Sequence, residues 1–289
     1  MKTRLMLFIA LSMCLFPSCQ FNGSIEKDLL TGMVSKGKGI SCEEVYVSNG
    51  QSRKQNTDFT YGEVLSLNFA EVEGLEQSEG RVYPGMDLLV LDKNRDTVLY
   101  RPDLYHEQVE GFPQSTKTLQ ARIVLADPIR SDMEYRGKVR IWDKKGNGSF
   151  EVDLPINVGR DGHIRTQVSA LTFDEIYLFS KTSETVLING QVPSQEDFYF
   201  IIEGLEGFVD EDNSSHVQLD LIAKDAKDKI LASSSQILPI ATDELNDQLA
   251  LYFNLPASGY ENPVRCEITL LDLKGEGKLK TEALVEVIK

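Results

Sequence analysis

The chain has 289 residues, of which 41% are apolar and 26% are charged, a composition typical of folded globular proteins. Thirty basic and 45 acidic side chains give a net charge of −15, so no stretch supplies the basic surface that nucleic-acid binding requires, and nucleic acid is excluded as a partner. Three histidines and four cysteines leave little material for a zinc or haem site, and we expect no cofactor.

The N-terminus has the features of an export signal. Lys2 and Arg4 form a basic head, and residues 5–16 are nearly all apolar. A bilayer-spanning helix needs about 20 apolar residues, so this run is too short for a stable transmembrane anchor. We therefore expect residues 1–18 to be a cleaved signal peptide, with the small residue Ser18 directly before Cys19.

The sequence Phe-Pro-Ser-Cys at residues 16–19 resembles the lipobox of bacterial lipoproteins. Phe16 and Pro17 depart from its usual first positions, and relaxed boxes of this kind are similar to those of Bacteroidota lipoproteins. The resemblance implies that Cys19 is acylated, for example with palmitate, and becomes the first mature residue. The alternative is a plain secretory signal with an incidental cysteine. Residues 19–27 are then expected to be a polar tether.

The remainder of the chain contains two copies of one sequence repeat. Residues 44–47 (Glu-Val-Tyr-Val) recur as residues 175–178 (Glu-Ile-Tyr-Leu), and residues 73–76 (Glu-Gly-Leu-Glu) recur identically as residues 203–206. Further matches occur in the same order at similar spacing, which chance matches would not do. This pattern predicts a tandem duplication, with one domain over residues 28–158 and a second over residues 159–289.

Each copy has the pattern of antiparallel strands. Apolar and polar residues alternate over residues 65–69, 138–141 and 266–270, which predicts strands with one face in a core. Polar segments 92–96 and 224–228 are predicted hairpin tips, and the Gly-containing segments 143–148 and 272–277 are predicted turns. The best helical stretch, residues 242–251, is short. We therefore predict an all-β chain of two tandem immunoglobulin-like β-sandwiches.

Five oxygen-bearing side chains are the candidate metal ligands: Asp92, Asn94, Asp96, Asp210 and Asp212. The first three have the spacing of the opening ligands of a calcium loop, but Thr97 stands where the tight bend requires glycine. A solvated hairpin tip, and a solvated acidic loop around the last two, are the favoured interpretations, so no metal site is predicted.

Trp142, the sole tryptophan, falls on the polar side of its predicted strand next to Arg140. We expect it to pack over the neighbouring hairpin, and the alternative is a platform on which a sugar ring stacks. The three histidines have no partners at catalytic or metal-ligand spacing, so no catalytic residues are predicted and the chain is not expected to be an enzyme. Cys42 and Cys266 lie in different copies, and we expect two separate buried thiols.

Lipobox and tandem β-domains together resemble the cell-envelope lipoproteins of the Bacteroidota type. The resemblance implies a lipid-anchored, non-catalytic binding or scaffolding protein of the outer membrane or periplasm, with an envelope protein or a glycan as its partner. The alternatives are a carbohydrate-binding accessory lipoprotein of a glycan-uptake system and an enzyme whose site is not visible as a motif. Surface-exported lipoproteins of that type tend to carry acidic residues directly after the cysteine. Residues 20–24 contain none, so the resemblance implies the periplasmic face rather than the cell surface.

Overall fold

A computed structural model describes residues 23–194, 196–256 and 258–288, and within them the chain forms 23 strands and one short helix. The strands of the first half are β1 (Gly23–Lys27), β2 (Val34–Lys38), β3 (Glu44–Ser48), β4 (Asp58–Thr60), β5 (Val64–Ala70), β6 (Gln77–Ser78), β7 (Arg81–Val82), β8 (Pro84–Leu91), β9 (Thr97–Arg101), β10 (Phe112–Pro113), β11 (Leu119–Val124), β12 (Met133–Asp143) and β13 (Ser149–Gly159).

The second half contains strands of similar length and one helix of six residues. These elements are β14 (Ile164–Ser169), β15 (Glu175–Ser180), β16 (Thr185–Leu187), β17 (Gln191–Pro193), β18 (Phe198–Glu203), β19 (Ser214–Lys224), β20 (Ile230–Ala241), α1 (Thr242–Asp247), β21 (Gln248–Phe253), β22 (Val264–Asp272) and β23 (Lys278–Ile288). No helix of the described residues is long and apolar enough to cross a membrane.

Two large sheets share one strand order. In the first half the order is β1-β2-β13-β12-β8-β9, with β4 pairing β13 in parallel. In the second half it is β14-β23-β22-β19-β20, with β17 pairing β23 in parallel. A smaller sheet faces each of them, β11-β5-β3 in the first half and β16-β15-β18-β21 in the second. The internal repeat of the sequence therefore corresponds to two sandwiches with the same strand order, apart from the added strands β1 in the first and β16 in the second.

Each sandwich has its own apolar core between its two sheets. Phe69 of β5 and Ile141 of β12 belong to the first core, which draws its fully buried residues from positions 33–158. Phe200 of β18 and Ile268 of β22 belong to the second, whose fully buried residues lie at positions 171–285. The all-β prediction and the prediction of β-sandwiches are confirmed, and the chain passes from the first sandwich to the second within residues 160–163.

The first residues that the structure describes differ from the expected tether. Gly23–Lys27 forms strand β1, which pairs antiparallel with β2, so that Ile25 lies opposite Lys36. Backbone pairing explains the difference, because the edge of β2 offers hydrogen-bonding groups to any extended neighbour, whether or not its side chains alternate. The predicted signal peptide and Cys19 lie outside the described residues.

The identical Glu-Gly-Leu-Glu segments do not occupy equivalent places in the two sandwiches. Gly74, with φ of 90°, lies so close to the carbonyl of Gly39 that a side chain would not fit. Its counterpart is Gly207, with φ of 101°, which lies in the same way against the carbonyl of Ala170. The identical glycine of the second segment, Gly204, contacts Asp174 instead, so the sequence match is three residues out of register here.

Polar contacts join the two sandwiches. The guanidinium of Arg130 donates to a carboxylate oxygen of Glu203 at 2.7 Å. Ser131, the next residue of the first sandwich, donates to the buried carboxylate of Glu175 in the second. Two neighbouring residues of one loop are thus bonded to the two strands β15 and β18 across the junction.

Candidate functional site

The outer face of the large sheet in the first sandwich contains a depression of about 680 Å³. Its lining comes from β2, β8, β9, β12 and β13, five strands that lie side by side in the sheet or at its edge. Side chains of a strand alternate between its two faces, so on β12 the buried Val139 and Ile141 point to the core while Lys138 and Arg140 point outward. We call this concavity the sheet-face depression.

A row of four charged side chains crosses the depression. The strand register places Lys36 beside Glu151, Glu151 beside Arg140, and Arg140 beside Asp87. The charges therefore alternate in sign along the row. Among the described residues, none of these four forms an ion pair within 4.0 Å, although desolvation by the surrounding protein raises the pKa of Asp87. Two hydrogen-bond donors and two acceptors are therefore available to a ligand.

The next row of side chains beside the charged row is apolar at both ends and charged in the middle. Leu89 of β8 lies opposite Tyr100 of β9, whose side chain is 52% exposed. Val34 of β2 contributes to the same lining. Between them, Lys138 and Asp153 form an ion pair at 2.8 Å, so their charges satisfy each other. The depression thus combines an apolar patch at Leu89 and Tyr100 with a polar row, the combination that small-molecule sites use for affinity and orientation.

Trp142 lies on β12 two residues after Arg140, and therefore on the same face of the sheet, next to the charged row. It is half-buried and opposite Gly85 of β8, where a side chain would overlap with the indole ring. The indole therefore rests on the backbone of Gly85. The guanidinium of Arg140 lies 5.8 Å from the ring centroid, within the range of a cation–π interaction. Trp142 is at the rim of the depression and not among the residues that line it.

The second sandwich has different side chains at the matching positions. The register aligns Asp220, Thr269 and Lys280 in one row, as Asp87, Arg140 and Glu151 are aligned in the first. Leu271 takes the place of Trp142, and Ser233 takes the place of Tyr100. The alternating charges and the two aromatic side chains therefore belong to the first sandwich alone.

Asp92, Asn94 and Asp96, the first three candidate metal ligands, lie together at the tip of the β8–β9 hairpin. One carboxylate oxygen of Asp92 accepts the backbone N–H of Asn94 at 2.9 Å and that of Asp96 at 2.8 Å. Asp225 has the same role in the second sandwich, since its carboxylate accepts two backbone N–H groups of its own hairpin. The Asp92 carboxylate therefore has a structural task in closing the turn.

The other two predicted metal candidates lie in the loop before β19. Asp210 accepts the backbone N–H of Asn213 at 2.9 Å and the hydroxyl of Thr242, and Asp212 has a positive φ of 58°. In the part of the chain that the structure describes, no group of three or more His, Cys, Asp or Glu side chains is arranged to hold a metal ion.

The structure shows two separate thiols, as the sequence predicts. Cys42 is half-buried and Cys266 is fully buried, and neither forms a disulfide. Desolvation raises the pKa of each thiol to about 12.

Sequence reasoning missed Lys36, Asp87, Tyr100 and Glu151. One part of the row was predictable, because a turn over residues 143–148 between two antiparallel strands places Arg140 opposite Glu151. The pairing of β8 with β12 has no such local signal, since 41 residues lie between the two strands.

Comparisons with known proteins give little further information. No protein-family model matches the chain, and no curated protein matches it. Among solved structures, the C-terminal domain of Wzt is 11% identical with a TM-score of 0.28, and the match covers 44% of this chain and 80% of that domain. The β-glucuronidase of Bacteroides uniformis is 9% identical with a TM-score of 0.26, over 88% of this chain and 26% of the enzyme. Latent PorU from Porphyromonas gingivalis is 7% identical with a TM-score of 0.28, over 87% and 20% of the two chains. Likenesses of this degree carry no argument about function.

Proposed function

We propose that this chain is a lipid-anchored, non-catalytic binding or scaffolding lipoprotein of the cell envelope, held in the outer membrane by an acylated Cys19 on the periplasmic face. The basic head, the short apolar run and the small residue before Cys19 support the anchor. Removal of residues 1–18 also removes two positive charges and leaves a net charge of −17. An anionic body is repelled by anionic lipid, so the acyl chains supply the attraction to the membrane.

The sheet-face depression supports the binding role. Its four charged side chains have no ion-pair partner among the described residues, although each is close to a neighbour of opposite sign in the register. Lys36, Arg140 and Glu151 are exposed and Asp87 is half-buried, so a ligand with donors and acceptors at this spacing can form charge-assisted hydrogen bonds with the row. The depression is the observation on which the proposal rests.

Hydrogen bonds of the histidines support a non-catalytic role. His163 is bonded to Asp161, two positions earlier in its own turn, and His106 is bonded to the carbonyl of Asp103. His216 has its Nδ1 3.9 Å from a carboxylate oxygen of Glu211. Among the described residues, none of the three imidazoles is hydrogen-bonded to a nucleophilic side chain, which a Ser-His-Asp arrangement would need.

A carbohydrate-binding accessory lipoprotein is the second candidate function. A sugar ring has an apolar C–H face and a rim of hydroxyls, each of which both donates and accepts. Tyr100 and Leu89 offer a surface for the apolar face, and the neighbouring pair Arg140 and Asp87 offers a donor and an acceptor for the rim. The half-buried Trp142 beside them enlarges the aromatic area.

Isothermal titration of the purified protein with a panel of neutral and acidic oligosaccharides tests the second candidate. We expect Tyr100→Ala and Asp87→Asn each to weaken binding of a hit about tenfold, which corresponds to one lost contact of about 1.4 kcal/mol. Asp220→Asn is the matched control, since Asp220 holds the equivalent place in the second sandwich. If no oligosaccharide of the panel binds at millimolar concentration, the carbohydrate function is wrong.

A photo-cross-linking amino acid tests an envelope protein as the ligand. Placed at Tyr100 in the living cell, it should give one discrete adduct, whereas the same amino acid at Thr269, the counterpart of Arg140 in the second sandwich and away from its sheet edges, should give none. Equal adducts from both positions, or none from Tyr100 together with a negative oligosaccharide panel, would exclude the depression as the binding site.

A further inference from the structure

Strand β20 forms one edge of the large sheet in the second sandwich. The strand order ends at β20, which pairs with β19 on one side and with no other strand of the described residues on the opposite side. Its sequence, ILASSSQILPIA over Ile230–Ala241, contains no charged residue. Twelve residues at about 3.3 Å each make an edge of roughly 40 Å.

The hydrogen bonding shows which main-chain groups face outward. Thr242 N–H donates to the carbonyl of Asn213, just beyond the end of the β19–β20 pairing. In an antiparallel pair, every second residue bonds to the partner strand, so the even-numbered residues of β20 bond to β19. At the positions in between, Ser233, Ser235 and Ile237 therefore direct their N–H and C=O groups to the free edge. These are the groups that a further strand would engage.

The corresponding edge of the first sandwich is protected, and this one is not. There, β9 has only five residues and ends at Arg101, whereas β20 has twelve residues, none of them charged. Short length and charged residues are the usual means by which proteins keep a sheet edge from pairing. In β20, Pro239 removes one outward donor near the end of the strand, and residues 231–237 remain open.

We propose that β20 is a docking edge that accepts an extended, positively charged segment of another protein as an added strand. Residues 161–289 carry 10 basic and 23 acidic side chains, a net charge of −13. Asp220 accepts a hydrogen bond from Ser235 on β20 itself, and Asp243 and Glu244 follow directly in α1. A basic strand is attracted to this field, and a second copy of the chain is repelled by it.

The side chains add a smaller, selective contact. Ile237 is 65% exposed and lies on the same face as Ser233 and Ser235, next to the added strand. Backbone hydrogen bonds give such a complex most of its affinity, and alternate side chains give it sequence preference. A segment with lysine or arginine at alternate positions and an apolar residue opposite Ile237 therefore fits best.

Hydrogen exchange of the full chain measures strand addition at β20 directly. The probe is an acetylated peptide of about nine residues that alternates lysine and threonine. We expect exchange at the amides of Ser233, Ser235 and Ile237 to slow at least about fivefold when the peptide is added. A peptide with glutamate in place of lysine should give no protection. Ser233→Pro removes an outward N–H and should abolish the effect, provided that its thermal melt matches that of the unaltered chain.

Ile237→Lys keeps every backbone group and should weaken binding of the lysine peptide about tenfold through charge repulsion. Val168→Lys is its matched control, because Val168 is 44% exposed on β14, the opposite edge of the same sheet. The proposal is wrong if millimolar lysine peptide leaves the β20 amides unprotected or if the glutamate peptide protects them equally. It is also wrong if protection depends on protein concentration alone, which would make a second copy the partner. These variants lie outside the sheet-face depression, so they test β20 independently of the proposed function.

Discussion

The carboxylate of Glu175 in the second sandwich accepts two hydrogen bonds from Ser131 in the first, at 2.6 Å from the backbone N–H and at 2.8 Å from the hydroxyl. Glu175 is only 1% exposed. The rings of Tyr61 and Tyr177 contact each other across the same junction, with their centroids 5.3 Å apart. A buried, hydrogen-bonded carboxylate tolerates little change of position, so the junction holds the two sandwiches in a defined arrangement.

Replacing Glu175 should reveal the cost of its buried charge. Desolvation raises its pKa in the folded state, so its contribution to the unfolding free energy is full below the unfolded pKa of about 4.3 and is lost as the pH rises through the folded pKa. Glu175→Gln removes this titration and keeps an acceptor for the Ser131 N–H. We expect the unaltered chain to lose stability relative to Glu175→Gln as the pH rises from 4 to 7.

Urea unfolding of both chains at several pH values measures that difference. Glu175→Ala is the companion variant, and it should lose about 1–3 kcal/mol because it leaves the buried N–H of Ser131 without a partner. Parallel pH profiles for the unaltered chain and Glu175→Gln would contradict the assignment of the titration to this residue.

Cys19→Ala should abolish lipid attachment, because the acyl chain requires the thiol of the residue that follows the signal peptide. Labelling with an alkyne fatty acid, followed by separation of membrane and soluble fractions, measures the change. Cys14→Ala is the control and should stay labelled and membrane-bound. A Cys19→Ala protein that keeps its label and remains in the membrane would make the anchor assignment wrong.

Each sandwich should fold alone, because the fully buried residues of each core come from one half of the chain. Residues 23–158, which keep β1 paired with β2, and residues 159–289 should each give a β-type circular dichroism spectrum and a cooperative melt. Each is expected to melt below the full chain, since the contacts of Arg130 and Ser131 across the junction are lost. A half with no cooperative transition would show that the junction is needed for folding.

Cys42 and Cys266 should resist alkylation in the folded protein. With a pKa of about 12, each thiol is ionised to only about one part in 10⁴ at pH 8, compared with roughly a quarter for an ordinary thiol of pKa about 8.5. Iodoacetamide labelling of a chain with Cys14→Ala and Cys19→Ala, read by mass spectrometry, should give no adduct in buffer and two adducts in guanidinium chloride. Rapid labelling of the folded chain would contradict the burial of the thiols.

Calcium should leave the melting temperature nearly unchanged, because backbone N–H groups already occupy the Asp92 carboxylate. A micromolar site at millimolar calcium would instead stabilise the fold by roughly 4 kcal/mol, a rise of several degrees. The comparison is between EDTA and calcium, with sodium chloride at matched ionic strength as the control for screening of the acidic second half. A calcium-specific rise of the melting temperature that is lost in Asp92→Ala or Asp210→Ala would show that these loops bind calcium and would contradict the prediction.

Local patterns predicted the local structure well. Alternation around Val139 and Ile141 identified β12, and the polar tip around Asp92 identified the β8–β9 hairpin, because both depend on neighbouring residues only. The position of Asp87 beside Arg140 depends on long-range pairing, which a single sequence does not encode in any short segment. The sequence did not reveal that Gly74 corresponds to Gly207, because this equivalence depends on backbone conformation and on a close contact. The identical Glu-Gly-Leu-Glu segments instead align Gly74 with Gly204, three residues away.

The single tryptophan provides an intrinsic fluorescence probe at one defined place in the protein. Trp142 rests on Gly85 at the rim of the sheet-face depression, and no other residue of its kind exists in the sequence. Intrinsic indole fluorescence therefore reports on the first sandwich alone, while circular dichroism reports on both. A ligand entering the depression should shift the emission, whereas a strand added at β20 should leave it unchanged. Fluorescence can thus separate binding in the sheet-face depression from binding at β20 without any attached dye.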